Sequence, residues 1–174
     1  MLETGRLYLR KIGTQDFLPI KRILKDKDVM YAWEHPFSDE EAEDFINNIL
    51  TRYDKDGVSY LAVLEKETGK LVGICGLNYE YANEEKFIGI GYIFNKKYWG
   101  NGYAFESAKR CVEYAFNIMN VEEITAQIRP ENFASIKVAE KLKMKIKTRF
   151  IKIYNGKEMP HLLYCVNKTE YNGN

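Results

Sequence analysis

The segment Ile88-Gly89-Ile90-Gly91-Tyr92-Ile93-Phe94-Asn95-Lys96-Lys97-Tyr98-Trp99-Gly100-Asn101-Gly102-Tyr103-Ala104 constrains the fold more than any other stretch of the chain. Its first half is an apolar, strand-like run with two glycines, which inside a strand mark a bulge or a close backbone approach. A short glycine loop follows. Beyond it Ala104, Ala108, Cys111, Val112, Ala115 and Phe116 recur at helical spacing, to about Met119. Strand, glycine loop and helix in direct succession let consecutive backbone N–H groups turn inward at a helix N-terminus, where the macrodipole favours anions. That arrangement cradles a pyrophosphate without side-chain charge. Gly-Asn-Gly is also an ordinary turn. It is not a Walker-type loop, since no Gly-Lys-Ser/Thr closes it, and it lacks the third glycine of a dinucleotide fingerprint.

The flanking sequence predicts the rest of the fold. Arg6–Ile12 alternates as a strand. Thr14 or Asp16 can cap a helix over about 16–26, with Phe17, Ile20, Ile23 and Leu24 on one face. Residues 29–37 lack periodicity and read as a loop or short helix. Ser38-Asp39-Glu40-Glu41 is a capping box opening a helix to about Tyr53. Strands are expected near 58–66, 70–80, 86–94 and 122–129. A helix then starts at Asn132, and strands near 145–154 and 158–167 are joined by the hairpin signal Asn155-Gly156. The order β-α-α-β-β-β-α-β-α-β-β is that of a mixed α/β domain on one central sheet.

With 174 residues, 45% of them hydrophobic, the chain suffices for one packed domain over 1–174. No window has the length and apolarity of a membrane span, and Met1–Arg6 shows no basic-then-apolar leader, so a cytoplasmic protein without membrane partners is expected. Cys75, Cys111 and Cys165 are odd in number and form no metal-binding cluster with His, so they read as core residues and no metal is expected. Net charge is uneven: residues 1–87 hold 12 basic and 17 acidic side chains, and residues 88–174 hold 14 and 8. An acidic half suits a cationic ligand and a basic half an anionic one. No dense basic patch with interleaved aromatics suggests nucleic acid.

Lys97-Tyr98-Trp99-Gly100-Asn101-Gly102 resembles the acetyl-CoA loop of the GNAT acetyltransferases, Arg/Gln-x-x-Gly-x-Gly/Ala. The run Trp99–Ala108 resembles the branch that acetylates ribosomal-protein N-termini, the Rim type. The run Ile128–Leu142, with the Asn-x-x-Ser core Asn132-Phe133-Ala134-Ser135, resembles that branch's second motif, and the likeness spans nearly the whole chain. It implies a twisted mixed sheet of about six to seven strands with about four helices on its faces. Four departures stand out. Lys97 replaces Arg or Gln, Gly89 stands where the branch often has Glu, Lys143-Met144 replaces Gly-Phe, and Ala139 takes the place of a tyrosine acid.

The resemblance implies direct attack of an amine on the thioester of acetyl-CoA. The Tyr92, Ile93 and Phe94 backbone would bind the pantetheine arm as an added strand does. Lys97 belongs to the loop, and the amides from Gly100 through Asn101, Gly102 and Tyr103 to Ala104 would hold the pyrophosphate. Asn132 would position pantetheine or amine, and Ser135 would protonate the thiolate, although both residues also fit a helix cap and its first turn. Trp33, Glu34, His35 and His161 are candidates for the acceptor side. The acceptor is a peptide N-terminus or a small molecule such as an antibiotic, polyamine or amino acid. A non-catalytic CoA-binding protein and a homodimer remain open alternatives.

An α-amine with a pKa of about 7.7–8.0 is roughly 10–20% neutral at pH 7, whereas a lysine-like amine near 10.4 is only about 0.04% neutral. No unambiguous base is visible in the sequence. That leans the sequence reading towards the α-amine, which needs less help.

Overall fold

The computed structural model describes residues 1–173, whose contacts divide into two compact units. Unit one takes Met1–Leu77 and Gly91–Cys111, and unit two takes Asn78–Ile90 and the chain from Val112.

Unit one holds β1 (Leu2–Glu3), β2 (Leu7–Arg10), α1 (Phe17–Leu24), α2 (Asp39–Lys55) and β3 (Tyr60–Glu65). It also holds the start of β4 (Leu71–Ala82), the end of β5 (Glu85–Phe94) and most of α3 (Tyr103–Asn117). Its core follows from helical spacing. Ile20, Ile23 and Leu24 of α1 and Ala42, Ile46 and Ile49 of α2 pack with Ala62, Ile74 and Ile93 of the strands. Each buried Ile or Leu among them contributes about 1.5–3 kcal/mol. The capping box forms as the sequence predicts: Glu41 N–H donates to Ser38 Oγ at 3.1 Å, and Ser38 N–H donates to Glu41 Oε2 at 2.8 Å.

Asp16 does not cap α1 with its side chain. A 3-10 turn at Thr14–Asp16 precedes the helix, and the carboxylate accepts instead from Arg10 at 2.6 and 2.9 Å and from Gly13 N–H at 2.9 Å.

Unit two continues β4, β5 and α3 and adds β6 (Glu123–Ile128), α4 (Phe133–Lys141), β7 (Lys145–Tyr154), β8 (Lys157–Asn167) and α5 (Lys168–Asn172). β6 buries Ile124, Ala126 and Ile128 on one face and Thr125 between them, so both faces of its centre are covered. Asn155 and Gly156 turn β7 into β8 with φ of 48° and 74°, the two left-handed residues of a type I′ hairpin.

The strands lie in the order β1-β2-β3-β4-β5-β6-β8-β7. β5 pairs β6 in parallel, while β1–β2, β2–β3, β3–β4, β6–β8 and β7–β8 are antiparallel. This is the mixed α/β architecture expected, with eight described strands rather than six to seven. The additional strand, β1, is two residues long, too short to show a period. No helix among the described residues is long and apolar enough to cross a membrane.

Candidate active site

The glycine loop lies in unit one. β5 ends at Phe94, and Asn95 caps the turn that follows by accepting from Lys97 N–H at 2.9 Å. The indole of Trp99 donates back to the Phe94 carbonyl at 2.8 Å, which fixes the loop to the strand it leaves. Gly100 and Gly102 then take φ of 81° and 78°, a left-handed region that favours glycine. Gly100, Asn101 and Gly102 are exposed, and a Cβ at Gly100 would meet nothing within 4 Å. Glu106 N–H to the Gly102 carbonyl, at 3.0 Å, opens the helical bonding of α3. The amides just before it, at Tyr103 and Ala104, belong to a first turn that has no intrahelical acceptor.

Side chains brace this turn from below. Glu106 Oε1 accepts from Thr4 Oγ1 at 2.5 Å and Arg6 N–H at 3.0 Å, while Oε2 accepts from Arg6 Nε at 2.7 Å. Burial raises the Glu106 pKa, but the bonds from Thr4 and Arg6 outweigh it and hold the carboxyl below its ordinary value. The Arg6 guanidinium lies 4.7 Å from the centre of the Tyr103 ring. Tyr103 donates its hydroxyl to Glu65 at 2.5 Å, and this bond raises its own pKa and lowers that of Glu65. Tyr103 is therefore a structural strut with its side chain, whatever its amide binds.

Elsewhere in unit one, Trp33 and Phe37 meet edge-on at 6.3 Å and pack against the α1–α2 core. Glu34 sits in the left-handed region at φ 65°. His35 faces acceptors on both sides: the Trp33 carbonyl lies 3.1 Å from Nδ1, and a Glu41 carboxylate oxygen lies 2.9 Å from Nε2. Both neighbours are acceptors, so the two ring nitrogens tie the imidazole to the Trp33 backbone and to the capping box at once.

Unit two carries Asn132, Ser135 and His161. Asn132 is the N-cap of α4, its Oδ1 accepting from Ser135 N–H at 3.1 Å. His161 Nδ1 donates to the Met159 carbonyl at 2.8 Å, and its ring tilts against Phe150 at 5.5 Å. Burial lowers its pKa, the Met159 bond opposing, so it is neutral at pH 7 with Nε2 carrying the lone pair. It borders a hollow of about 300 Å³ with Pro130, Arg149 and Pro160.

Glu80 of β4 lies beside Gly89 of β5. A Cβ built on Gly89 would lie 3.2 Å from Glu80 Oε2 and 3.4 Å from Thr125 Oγ1. A strand glycine leaves a space that a long neighbouring side chain can enter, the close approach its position in the sequence marks.

Cys75 and Cys111 are fully buried, as expected of core residues. A hydrogen bond to Cys75, and then burial, push the Cys111 thiol well above its ordinary value, which suits packing and not nucleophilic attack. Among the described residues, no three His, Cys, Asp or Glu side chains are grouped to hold a metal ion.

A family model described as an acetyltransferase (GNAT) domain matches residues 6–145, most of the chain. The chain belongs to the GNAT acetyltransferase family.

An uncharacterized N-acetyltransferase of Bacillus licheniformis is 30% identical over 177 aligned positions, covering 99% of this chain and 98% of the relative. A GNAT-family acetyltransferase from Bacillus anthracis superposes with a TM-score of 0.82 at 28% identity, over 97% of this chain and 99% of the other. A ribosomal-protein alanine acetyltransferase from Vibrio fischeri (TM-score 0.73, 18% identical, 98% and 97% covered) shares the fold. So does a spermidine N-acetyltransferase from Vibrio cholerae in complex with CoA and spermine (0.75, 19%, 95% and 97%). A spermidine N(1)-acetyltransferase of Vibrio cholerae is also 24% identical in sequence over 140 positions, 78% of this chain and 77% of that one. GNAT membership is thus established, with acetyl-CoA-dependent acetyl transfer as its activity. The narrower Rim-type placement is not favoured over the polyamine-acetylating branch.

Proposed function

We propose that this GNAT enzyme acetylates a small aliphatic amine, with a polyamine-like cation as the acceptor class. The observation that carries the acceptor class is the sequence likeness to a spermidine N(1)-acetyltransferase over more than three quarters of both chains. The excess of acidic residues in the first half of the sequence suits a multiply charged cation.

On the donor side, the loop amides from Gly100 to Ala104 hold the pyrophosphate of acetyl-CoA, helped by the exposed, open backbone at Gly100. The Tyr92–Phe94 backbone takes the pantetheine arm. Phe94 does so with its N–H, because its carbonyl already accepts from Trp99. Asn132, whose Oδ1 caps α4, positions the pantetheine or the amine, and Ser135 protonates the departing thiolate.

A peptide α-amine is the second reading, favoured by the second-motif run Asn132-Phe133-Ala134-Ser135. Competition separates the two. With spermidine and an N-terminal peptide present together at equal concentration, mass spectrometry is expected to find the acetyl group on spermidine in at least tenfold excess. Preferential labelling of the peptide would overturn the small-amine reading.

A further inference from the structure

Gly91 of β5 has no side chain, yet the place of one is taken by Tyr60 of β3. A Cβ built on Gly91 would overlap the Tyr60 hydroxyl and stand only 2.8 Å from Cζ and 3.0 Å from Cε1. Both residues belong to unit one. Alternation puts Gly91 on the same face of β5 as Ile93, which packs into the α1–α2 core. Among Gly91-Tyr92-Ile93-Phe94 the first alone is bare backbone, and the phenol lies against it.

Tyr60 is held in place from three sides. It pairs Gly76 of β4, where a Cβ would stand 2.6 Å from the Tyr60 Cα, so the two strands meet more closely than a side chain at 76 would allow. Its carbonyl accepts from the Tyr53 hydroxyl, which itself accepts from Ile12 N–H at 3.0 Å. Its ring packs on Phe45 of α2 with centroids 5.7 Å apart. Tyr60 is nonetheless only half-buried, which leaves part of its surface for a ligand to meet. A ring fixed in this way yields little, and a wall that does not yield discriminates by size.

The glycine loop follows Phe94, so an arm that leaves a pyrophosphate on the loop and pairs with Phe94 first runs back along β5 towards Tyr92. Its thioester end then arrives at Gly91, beneath the Tyr60 phenol. We propose that Tyr60 is the acyl-size determinant of the donor site, a wall over Gly91 that admits the acetyl group and excludes longer acyl chains. This rests on the reading that the pantetheine arm lies along Tyr92–Phe94, and it needs nothing from the acceptor. One extra methylene in a close-fitting apolar site changes discrimination about 10–200-fold, which sets the scale of the effect.

The test is calorimetric and requires no amine: acetyl-CoA and butyryl-CoA are titrated into each protein, with free CoA as the reference ligand. The wild type is expected to bind butyryl-CoA at least about tenfold more weakly than acetyl-CoA. Tyr60→Leu, which keeps apolar packing but removes the ring, should bring the two within about threefold of each other. Adding Gly91→Ala to Tyr60→Leu sets a methyl where the phenol stood and should restore a preference for acetyl-CoA of about fivefold or more. Tyr60→Phe keeps Cζ and Cε1 over Gly91 and should discriminate as the wild type does. Equal affinities in the wild type would overturn the proposal whether or not any variant folds. So would an unchanged ratio in Tyr60→Leu, or discrimination lost in Tyr60→Phe, which would make the hydroxyl and not the bulk of the ring decisive. The loop variant Gly100→Val separates the two failures. If it weakens CoA binding while Tyr60→Leu leaves the ratio unchanged, the arm keeps its place and Tyr60 alone is rejected. If it leaves CoA binding unchanged, the placement of the arm falls and the wall with it.

Discussion

Gly100 and Gly102 illustrate what single residues decide. Both hold positive φ at the start of α3, but their surroundings differ: a Cβ at Gly102 would approach Arg6 Nη2 at 3.7 Å, whereas Gly100 opens on nothing within 4 Å. Gly100→Val therefore costs only backbone strain, about 1–2 kcal/mol, and leaves its side chain over the exposed loop. Calorimetry is expected to show acetyl-CoA affinity falling at least tenfold, with the fold retained by circular dichroism; unchanged affinity would remove the loop from the donor site. The departure at Lys143 is also explained at this scale. Lys143 and Met144 N–H groups bond the Glu140 and Ala139 carbonyls at 2.9 and 3.0 Å, the paired bonds that end a helix with a left-handed residue. Lys143 adopts φ 62° where glycine is usual, and its ammonium reaches the Tyr171 and Gly173 carbonyls at 3.0 and 2.8 Å. Ala139 is fully buried beneath that turn, in the place where a tyrosine acid would stand.

At the scale of elements, long amphipathic or capped segments were legible, because their signals are local. α2 with its capping box, α3 after the glycines and the Asn155-Gly156 hairpin all occur within a residue or two of expectation. The β4–β5 hairpin was not legible as such. Its turn is Asn83-Glu84, with φ of 48° and 67°, and it lacks the glycine that marks such turns in sequence. The strands consequently run to Ala82 and from Glu85, beyond the expected 80 and 86. Glu84 is exposed, so its left-handed backbone has little side-chain compensation. Glu84→Gly is expected to stabilise the protein by about 1 kcal/mol, seen as a rise in Tm of about 2–4 °C with activity unchanged. A fall in Tm would show that the turn is not strained.

For the whole molecule, fold class and donor chemistry were readable because a strand, a glycine loop and a helix are contiguous in sequence. The acceptor was not readable. Its candidate contacts, Trp33, Glu34, His35 and His161, are scattered along the sequence and form no contiguous motif. The absence of an obvious base in the sequence leans towards an α-amine, the second of the two acceptor readings. Release of free CoA thiol from acetyl-CoA, followed continuously with and without spermidine, tests the central claim most directly. Thiol release that requires spermidine and yields N-acetylspermidine in equal amount is expected. Tight acetyl-CoA binding with no amine-dependent release, from spermidine or any other small amine, would contradict it.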